Sequence, residues 1–275
     1  MKPIAAALQV DTHAHVFARD LPLASIRRYS PATDATVEQY LGHLDAHGLS
    51  HGVLVQPSFL GSDNAHLLTA LRAHPQRLRG VAMVDVDVTP AQLQELDDAG
   101  VVGIRLNLVG GAEIPDFSSV QWRRLLTAIA QRRWLVELHR EACDLPVLLP
   151  VFLDAGISLV IDHYGRPDPQ LGIDDPGFRY LLEVAATQRV WVKLSAAYRN
   201  GANGSGDTLA AAALPLLTQA FGLPHLLWGS DWPHTQHEQL TDYAREFQRL
   251  CGLLPAISER EQVLSTAAAS LYRLE

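Results

Sequence analysis

The sequence predicts an α/β fold in which eight parallel strands and their helices close into a single (β/α)8 TIM barrel. Short apolar runs rich in β-branched residues alternate with helix-like segments along the chain. These runs are nearly all apolar, as expected of parallel strands that are covered on both faces. The length of 275 residues suits one barrel, and no linker interrupts the pattern. We therefore expect one domain over residues 1–275.

Eight strand candidates carry this prediction. Strands that are separated by helices form right-handed crossovers and hence a parallel sheet. An open doubly wound sheet is the alternative, but its first turn should hold a glycine-rich phosphate loop that this sequence lacks. The candidates are Ala7–Asp11, Gly52–Gln56, Arg79–Val84, Val102–Leu106, Trp134–His139, Ser158–Asp162, Val190–Leu194 and Leu226–Ser230.

Helix boundary signals lie between these strands. Pro90 is placed to begin one helix and Gly100 to end it, the usual asymmetry of the two residues. Capping boxes, in which a serine or threonine precedes Glu or Gln by three residues, predict three further helix starts. These pairs are Ser118 with Gln121, Thr235 with Glu238, and Ser258 with Glu261.

The charge and cysteine content exclude several classes of protein. The formal net charge is −8, and no basic patch is evident, so we expect neither a nucleic acid nor a membrane as partner. No apolar run reaches the ~18 residues that span a bilayer, and the amino-terminal stretch lacks a signal-peptide pattern. Cys143 and Cys251 do not make a disulfide framework. We expect a cytoplasmic protein, and a homo-oligomer stays open.

Polar residues fall where the predicted strands end. His13 and His15 follow the first strand, His139 ends the fifth, His163 follows the sixth and Asp231 follows the eighth. Active sites of such barrels lie at the carboxyl ends of the strands. Alternate residues of a strand point the same way, so His13 and His15 make a pair that suits a metal or a carbonyl group. Each histidine alone also suits a hydrogen-bonded core position, but the five together predict a site.

The remaining histidines lie on helices or at the opposite strand ends, and we predict that they are solvated surface residues. His234 is ambiguous, because it follows Asp231 closely and suits a supporting role beside that carboxylate. The residues predicted to be at the surface are His43, His47, His51, His66, His74, His225 and His237.

Three arginines also fall at the strand ends. Arg105 ends strand four, Arg166 comes just after His163, and Arg199 follows strand seven. In an acidic chain they indicate an anionic substrate, because guanidinium groups match carboxylates with paired hydrogen bonds. Surface salt bridges are the alternative. Lys193 suits a structural ion pair, and Arg140 is undecided.

Other catalytic patterns are missing. The sequence holds no Gly-x-Ser-x-Gly elbow, so Ser195 and Ser230 are poor nucleophiles, and Cys143 suits a small packed residue better than a thiol nucleophile. The glycine-rich segment Arg199–Asp207 is either a solvated loop or a mobile lid over the site.

Five segments together resemble the amidohydrolase superfamily, in the branch of 2-pyrone-4,6-dicarboxylate lactonase and related lactone hydrolases. The resemblance spans all eight strands. The segments are Asp-Thr-His-Ala-His-Val-Phe (11–17), Gly-Ile-Arg-Leu-Asn (103–107), Ile-Asp-His-Tyr-Gly-Arg-Pro (161–167), Trp-Val-Lys-Leu-Ser-Ala-Ala-Tyr-Arg (191–199) and Gly-Ser-Asp-Trp-Pro-His (229–234).

The resemblance implies a barrel hydrolase that opens a small carboxylated lactone such as 2-pyrone-4,6-dicarboxylate. By it, Asp231 is the general base that activates water. The reacting carbonyl is surrounded by His13, His15 and His163. The carboxylates of the substrate are bound by Arg105, Arg166 and Arg199.

The resemblance leaves the cofactor open between one divalent metal, with zinc favoured, and none. The pyrone-dicarboxylate lactonases resemble metal-free enzymes with a phenol at the strand-five position, where this chain has His139. That residue recreates the mononuclear metal pattern of other members of the superfamily, with His13, His15, His139 and Asp231 as ligands.

Two other functions remain open at this stage. One is a metal-dependent decarboxylase of an unsaturated or aromatic acid in the same superfamily. The other is a non-catalytic barrel that binds a small carboxylate.

Overall fold

Eight parallel strands lie side by side in sequence order in the computed structural model, which describes residues 8–274. Each strand pairs with the next one along the chain. This is the order expected from seven successive right-handed crossovers. The strands are β1 (Val10–Ala14), β2 (His51–Val55), β3 (Leu78–Ala82), β4 (Val101–Asn107), β5 (Leu135–His139), β6 (Ser158–Ile161), β7 (Val190–Leu194) and β8 (Leu226–Trp228).

The sheet closes where the segment after β8 meets β1. Ala14 and Trp232 form an isolated parallel bridge. On either side of it, the Asp231 amide donates to the His13 carbonyl and the His15 amide donates to the Trp232 carbonyl, each at 2.8 Å. The predicted (β/α)8 barrel is therefore confirmed, and its closure passes through residues of the predicted site.

Helices separate the strands and continue beyond β8. Pro90 begins α3 as predicted, after a Thr89–Gln92 capping box, and Gly100 follows its end. Two helices close the chain after α8 and are joined by a π turn over 262–266. The helices are α1 (Val37–Ala46), α2 (Ala65–Ala73), α3 (Pro90–Asp98), α4 (Val120–Gln131), α5 (Leu145–Asp154), α6 (Pro176–Val184), α7 (Ser205–Phe221), α8 (Tyr243–Leu253), α9 (Ile257–Glu261) and α10 (Ala267–Leu271).

The three capping boxes predicted from the sequence are wrong. The α4 cap is Ser119, one residue later than predicted, and its side chain accepts from the Trp122 amide. Residues 235–238 form turns rather than a helix start, because α8 begins later behind the side chain of Asp242. Helix α9 begins at Ile257 without a side-chain cap. Local patterns of this kind are common in loops, so tertiary packing decides which of them begin helices.

Two apolar clusters hold the barrel together. One packs the outward-facing strand residues against the surrounding helices. The other joins strand residues such as Val53, Val81 and Val160 to the carboxyl-terminal segment around Tyr272. Within residues 8–274 no helix is long and apolar enough to cross a bilayer.

The first strand differs most from its prediction. Ala7 lies outside the described residues, and β1 runs over Val10–Ala14 rather than ending at Asp11. His13 is therefore inside the strand and fully buried, whereas the sequence placed it after the strand. The pairing of β1 with β2 is also irregular between Asp11 and Ala14, the part of the strand that the sequence did not predict.

Candidate active site

A cavity of about 230 Å³ opens at the carboxyl ends of the strands, where barrel active sites are found. Seven of the eight residues predicted for the site line it. His13 lies beneath it and is fully buried. The seven are His15, Arg105, His139, His163, Arg166, Arg199 and Asp231.

Asp231 lies at the centre of the polar groups. Its Oδ2 accepts hydrogen bonds from Arg199 Nε at 2.7 Å and from the Tyr198 hydroxyl at 2.5 Å. Its Oδ1 faces the imidazoles, 3.5 Å from His13 Nε2 and 3.7 Å from His15 Nε2. Burial alone would raise the pKa of Asp231, but Arg199 and the surrounding imidazoles hold it well below the usual range. The carboxylate is thus ionised, with one oxygen held and the other directed at the histidines.

The site residues after β6 and β8 have an unusual backbone. His163, Arg166 and Asp231 all adopt positive φ values, between 52° and 57°. Residues other than glycine enter this left-handed region at a cost of roughly 1–2 kcal/mol. Such strain is retained where the surrounding structure holds it, and it often marks functional positions.

Two histidines are oriented by hydrogen bonds from behind. His15 Nδ1 lies 2.7 Å from the Val55 carbonyl, which accepts only, so its proton is on Nδ1 and Nε2 carries a lone pair. His163 Nδ1 lies 2.8 Å from Ser195 Oγ. Burial lowers the pKa of His15 to about 4 and that of His163 well below its usual value. Both rings are therefore neutral at neutral pH.

His139 is buried, but in the described part of the chain its ring nitrogens have no hydrogen-bond partner, unlike Nδ1 of His15 and His163. Its ring packs edge-on against His163, with 4.7 Å between the ring centroids. Burial lowers its pKa well below the usual value. A neutral imidazole with no protein partner is free to bind a group that enters the cavity.

A layer of buried charge lies directly below the site. Lys193 Nζ is 2.5 Å from Glu137 Oε2 and 2.8 Å from His13 Nδ1. Arg105 Nη2 donates to Asp162 Oδ2 at 3.2 Å. Two cations therefore balance two carboxylates, as buried ionised groups require. The predicted structural ion pair of Lys193 is present, with Glu137.

Three potential metal ligands come together in the described part of the chain. His13, His15 and Asp231 each offer a ligand atom within 4.8 Å of the others, and a second such group holds His13, Asp162 and His163. His139, predicted as a fourth ligand, belongs to neither group. These residue types suit a divalent cation.

The hydrogen bonds of His13, His15 and Asp231 do not leave all three residues able to act as metal ligands. His15 Nε2 and Asp231 Oδ1 offer lone pairs to a cation. Lys193 donates to His13 Nδ1, which leaves the proton of a neutral His13 ring on Nε2. A protonated nitrogen does not coordinate a metal, so as hydrogen-bonded here the group does not fit a resident cation.

The three predicted arginines differ in their partners. Arg105 pairs with Asp162 below the cavity, and Arg199 pairs with Asp231. Arg166 donates to the Arg199 carbonyl and to Asn200 Oδ1. All three still line the cavity, with nitrogens beyond those used in these contacts. Each guanidinium is held by protein groups before a ligand arrives.

Sequence reasoning missed several cavity residues, among them Arg28 and Tyr29 in the long loop that follows β1. Arg28 donates to the Val109 carbonyl and to Asn107 Oδ1, so it reaches across to the loop after β4. The Tyr29 hydroxyl donates to Glu238 after β8 at 2.5 Å. The one feature of the sequence that could have indicated both residues is their position in a loop at the carboxyl end of a strand. With Arg28, four guanidinium groups line the cavity.

Some surface predictions for histidines are wrong. His237 lines the cavity because residues 235–240 form a loop over the barrel mouth instead of opening a helix. His43 is half-buried and stacks on Tyr243, with 4.8 Å between the ring centroids. Aromatic stacking between α1 and α8 thus takes the place of solvent around this imidazole.

Two residues that the sequence left undecided, His234 and Arg140, have structural contacts. The Tyr198 hydroxyl lies 3.2 Å from His234 Nδ1 and also bonds Asp231, so His234 supports the carboxylate through Tyr198. Arg140 donates to Asp144 at 2.6 Å and to carbonyls of the loop after β4, outside the cavity lining.

The glycine-rich segment over 199–207 is only partly a solvated loop. Residues 202–205 are exposed, but Arg199 and Asn200 lie in a short 3₁₀ turn and Gly206 is buried in α7. A Cβ on Gly206 would come within 2.0 Å of the Ala197 carbonyl oxygen. Close packing on that side fixes the start of α7 against the turn that carries Arg199.

The barrel and the buried Asp–His site at its mouth define a protein of the amidohydrolase class. The family model described as Amidohydrolase matches residues 10–274. This chain therefore belongs to the amidohydrolase family.

Individual relatives match over most of their length. A 2-pyrone-4,6-dicarboxylate hydrolase of Comamonas testosteroni is 34% identical over 260 residues, covering 90% of this chain and 83% of that protein. A 4-sulfomuconolactone hydrolase of Hydrogenophaga intermedia is 30% identical over 268 residues, covering 95% and 88%. A solved structure from Pseudomonas putida, assigned as a 2-pyrone-4,6-dicarboxylic acid hydrolase, has a TM-score of 0.91 and 46% identity, covering 98% of each chain.

Proposed function

We propose that this protein hydrolyses the ring ester of a small lactone that carries carboxylates, with 2-pyrone-4,6-dicarboxylate as the first candidate. One observation carries the proposal. An ionised Asp231 with a free Oδ1 faces neutral imidazoles inside a cavity that four guanidinium groups line. The names of its relatives, which are hydrolases of anionic lactones, support the same substrate class.

The attacking water is placed between two acceptors. Asp231 Oδ1 and the lone pair of His15 Nε2 are 3.7 Å apart, so neither donates to the other. A water molecule can donate one hydrogen to each and direct its own lone pair at the ester carbon. Asp231 then takes the proton of this water as the carbon–oxygen bond forms.

The histidines that carry N–H groups complete the site. His163 lines the cavity and can stabilise the negative charge that develops on the carbonyl oxygen, whereas the buried His13 lies behind it with Nε2 facing Asp231 Oδ1 at 3.5 Å. His139 stands beside His163, with 4.7 Å between the ring centroids. When the ring carbon–oxygen bond breaks, Asp231 returns the proton to the leaving oxygen, and the product carries one more carboxylate than the substrate.

The arginines bind and orient the acid groups of the substrate. Four guanidinium groups, those of Arg28, Arg105, Arg166 and Arg199, line one cavity of about 230 Å³. Their forks match carboxylates and hold the ring over Asp231, which reduces the entropic cost of attack. In this proposal no step needs a metal, and the zinc alternative with His13, His15, His139 and Asp231 is a competing hypothesis.

To test the proposal, the unsubstituted protein and Asp231→Asn are compared on a panel of lactones that carry two, one or no carboxylates. In a pH-stat assay, we expect one proton per ring opened and faster hydrolysis of the dicarboxylate. Asp231→Asn should lower kcat by about 10³-fold, within the range for loss of a general base. Asp85→Asn, an exposed carboxylate outside the cavity lining, is the matched control and should match the unsubstituted protein.

Three results would contradict the proposal. Full turnover by Asp231→Asn would remove the general base. Release of CO2 without ring opening would indicate a decarboxylase, and binding of the acids without turnover would indicate a carboxylate-binding barrel. Activity that is lost with chelator and regained with zinc would favour the metal-dependent hypothesis.

A further inference from the structure

Lys193 occupies an unusual place for a lysine. Its side chain is fully buried inside the barrel, directly beneath the site. Its ammonium donates to Glu137 Oε2 at 2.5 Å, and that ion pair satisfies its charge. A second contact, 2.8 Å to His13 Nδ1, goes to a ring that needs no ion pair. This second contact determines the hydrogen-bonding state of His13.

An ammonium group has three donors and no acceptor, whereas a neutral imidazole has one donor and one acceptor. In a neutral His13 ring, Nδ1 can accept from the Lys193 ammonium but cannot donate to it, which places the ring proton on Nε2. Nε2 faces Asp231 Oδ1 at 3.5 Å on the cavity side. His15 has the opposite arrangement, because the Val55 carbonyl accepts from its Nδ1. The two imidazoles thus present an N–H and a lone pair to the same carboxylate oxygen, Asp231 Oδ1.

Two carboxylates compete with Lys193 for His13 Nδ1. Glu137 Oε1 lies 3.2 Å away and Asp162 Oδ1 lies 3.4 Å away, and both favour a proton on this nitrogen. Burial and Lys193 lower the pKa of His13, and these carboxylates raise it, with a net rise. Yet neither oxygen has a hydrogen-bond partner within residues 8–274, and Lys193 is nearer than both. The ammonium therefore decides the geometry at Nδ1.

We propose that Lys193 is a positioning residue that keeps the His13 proton on Nε2, where it faces Asp231 Oδ1, and so prevents His13 from ligating a cation. The effect of this N–H on the general base rests on the proposed lactone hydrolysis, whereas the position of the proton does not. Without the ammonium, Nδ1–H would donate to Glu137 or Asp162. His13, His15 and Asp231 would then all offer lone pairs, and the group would fit zinc.

Three variants separate the ammonium from the ion pair. Lys193→Met removes the donor. Glu137→Gln is the matched control, since it disrupts the same ion pair but keeps the donor to His13. Lys193→Met/Glu137→Gln removes both charges together and avoids a buried unpaired carboxylate, so it serves if the first variant fails to fold.

Two readouts are independent of turnover. Long-range ¹H–¹⁵N correlation spectra of labelled protein show which nitrogen of each ring carries the proton, and the His13→Gln variant assigns the His13 signals. Zinc titration of chelator-treated protein by calorimetry gives the affinity. We expect Nε2–H and weak zinc binding for the unsubstituted protein and Glu137→Gln. Both variants that lack Lys193 should show Nδ1–H and bind zinc at least about tenfold more tightly, the usual scale for groups behind a metal ligand.

The spectrum of the unsubstituted protein alone would overturn the proposal if it showed the His13 proton on Nδ1. An unchanged tautomer or zinc affinity without Lys193 would overturn it as well. If the spectra and titrations agree with expectation while no lactone is hydrolysed, the role of Lys193 stands and the proposed function fails.

Discussion

Arg199 Nε donates a 2.7 Å hydrogen bond to Asp231 Oδ2, so the guanidinium that was expected to bind substrate also holds the base. The two residues follow different strands, β7 and β8, and meet at the barrel mouth. The side chain of Arg199 is 14% exposed, against 1% for Asp231, so it contacts the carboxylate on one side and the cavity on the other. In the proposed mechanism, recognition of the substrate and control of the base are therefore coupled in one residue.

Arg199→Met is expected to impair turnover as well as binding. Loss of the guanidinium raises the pKa of Asp231, whose low value depends on Arg199 more than on any other neighbour. The acid limb of the kcat/KM profile should move to higher pH, and kcat should fall by about tenfold or more, as for a lost charged hydrogen bond. Steady-state kinetics across pH measure both effects. Arg245→Met, at an exposed position on α8, is the control. A rise in KM with an unshifted acid limb would limit Arg199 to substrate binding.

Arg28→Met should weaken binding of dicarboxylate lactones. Arg28 lines the cavity, whereas the adjacent Arg27 bonds within its own loop, to Ser30 and to the Ala24 carbonyl, and does not line it. We expect Arg28→Met to raise KM for a dicarboxylate about tenfold and to leave a monocarboxylate lactone nearly unchanged. Arg27→Met is the matched control and should alter neither KM. An equal rise for both substrates would mean that Arg28 acts through loop structure.

The free energy of unfolding should decrease as pH falls from about 6.5 to 4. Burial lowers the pKa of His15 and of His234 to about 4, below the usual value of 6.5. In this range the unfolded chain binds more protons than the folded protein, so acid favours unfolding. Each of the two histidines should contribute roughly 3 kcal/mol to the loss.

Urea unfolding at a series of pH values measures this dependence. His234→Gln should flatten it, because that variant no longer takes up a proton on unfolding in this range. His66→Gln, on α2 and outside the cavity lining, is the control and should keep the original slope. If His234→Gln leaves the slope unchanged, His234 is not buried in its neutral form.

The sequence was sufficient for the barrel because its apolar runs and helix signals repeat eight times, and each repeat adds to the same prediction. It was weaker at boundaries. His13 belongs to β1 because the strand extends to Ala14, past its predicted end at Asp11. Only the pairing of β1 with β2 reveals where the strand ends. The prediction that His13 and His15 point the same way survives this extension of the strand, since both face Asp231.

The contacts of the site could not be predicted because they join distant segments. Lys193 and His13 are 180 positions apart in the chain, and nothing near either residue indicates their contact. Arg28 lies in a loop without periodicity, so no pattern marks its approach to the cavity. His237 was misplaced for a similar reason, because a false helix signal at Thr235 concealed a loop.

The closure of the barrel has a consequence for how such a protein can change. Main-chain hydrogen bonds between His13 and Asp231 and between His15 and Trp232 fix the hydrolytic groups relative to each other, independently of side-chain identity elsewhere. Arg28 and Arg166, in contrast, come from separate loops outside that seam. Exchange of these loops should therefore change which carboxylated lactones the protein binds while preserving hydrolysis. This makes the chain a starting point for engineering new lactonases.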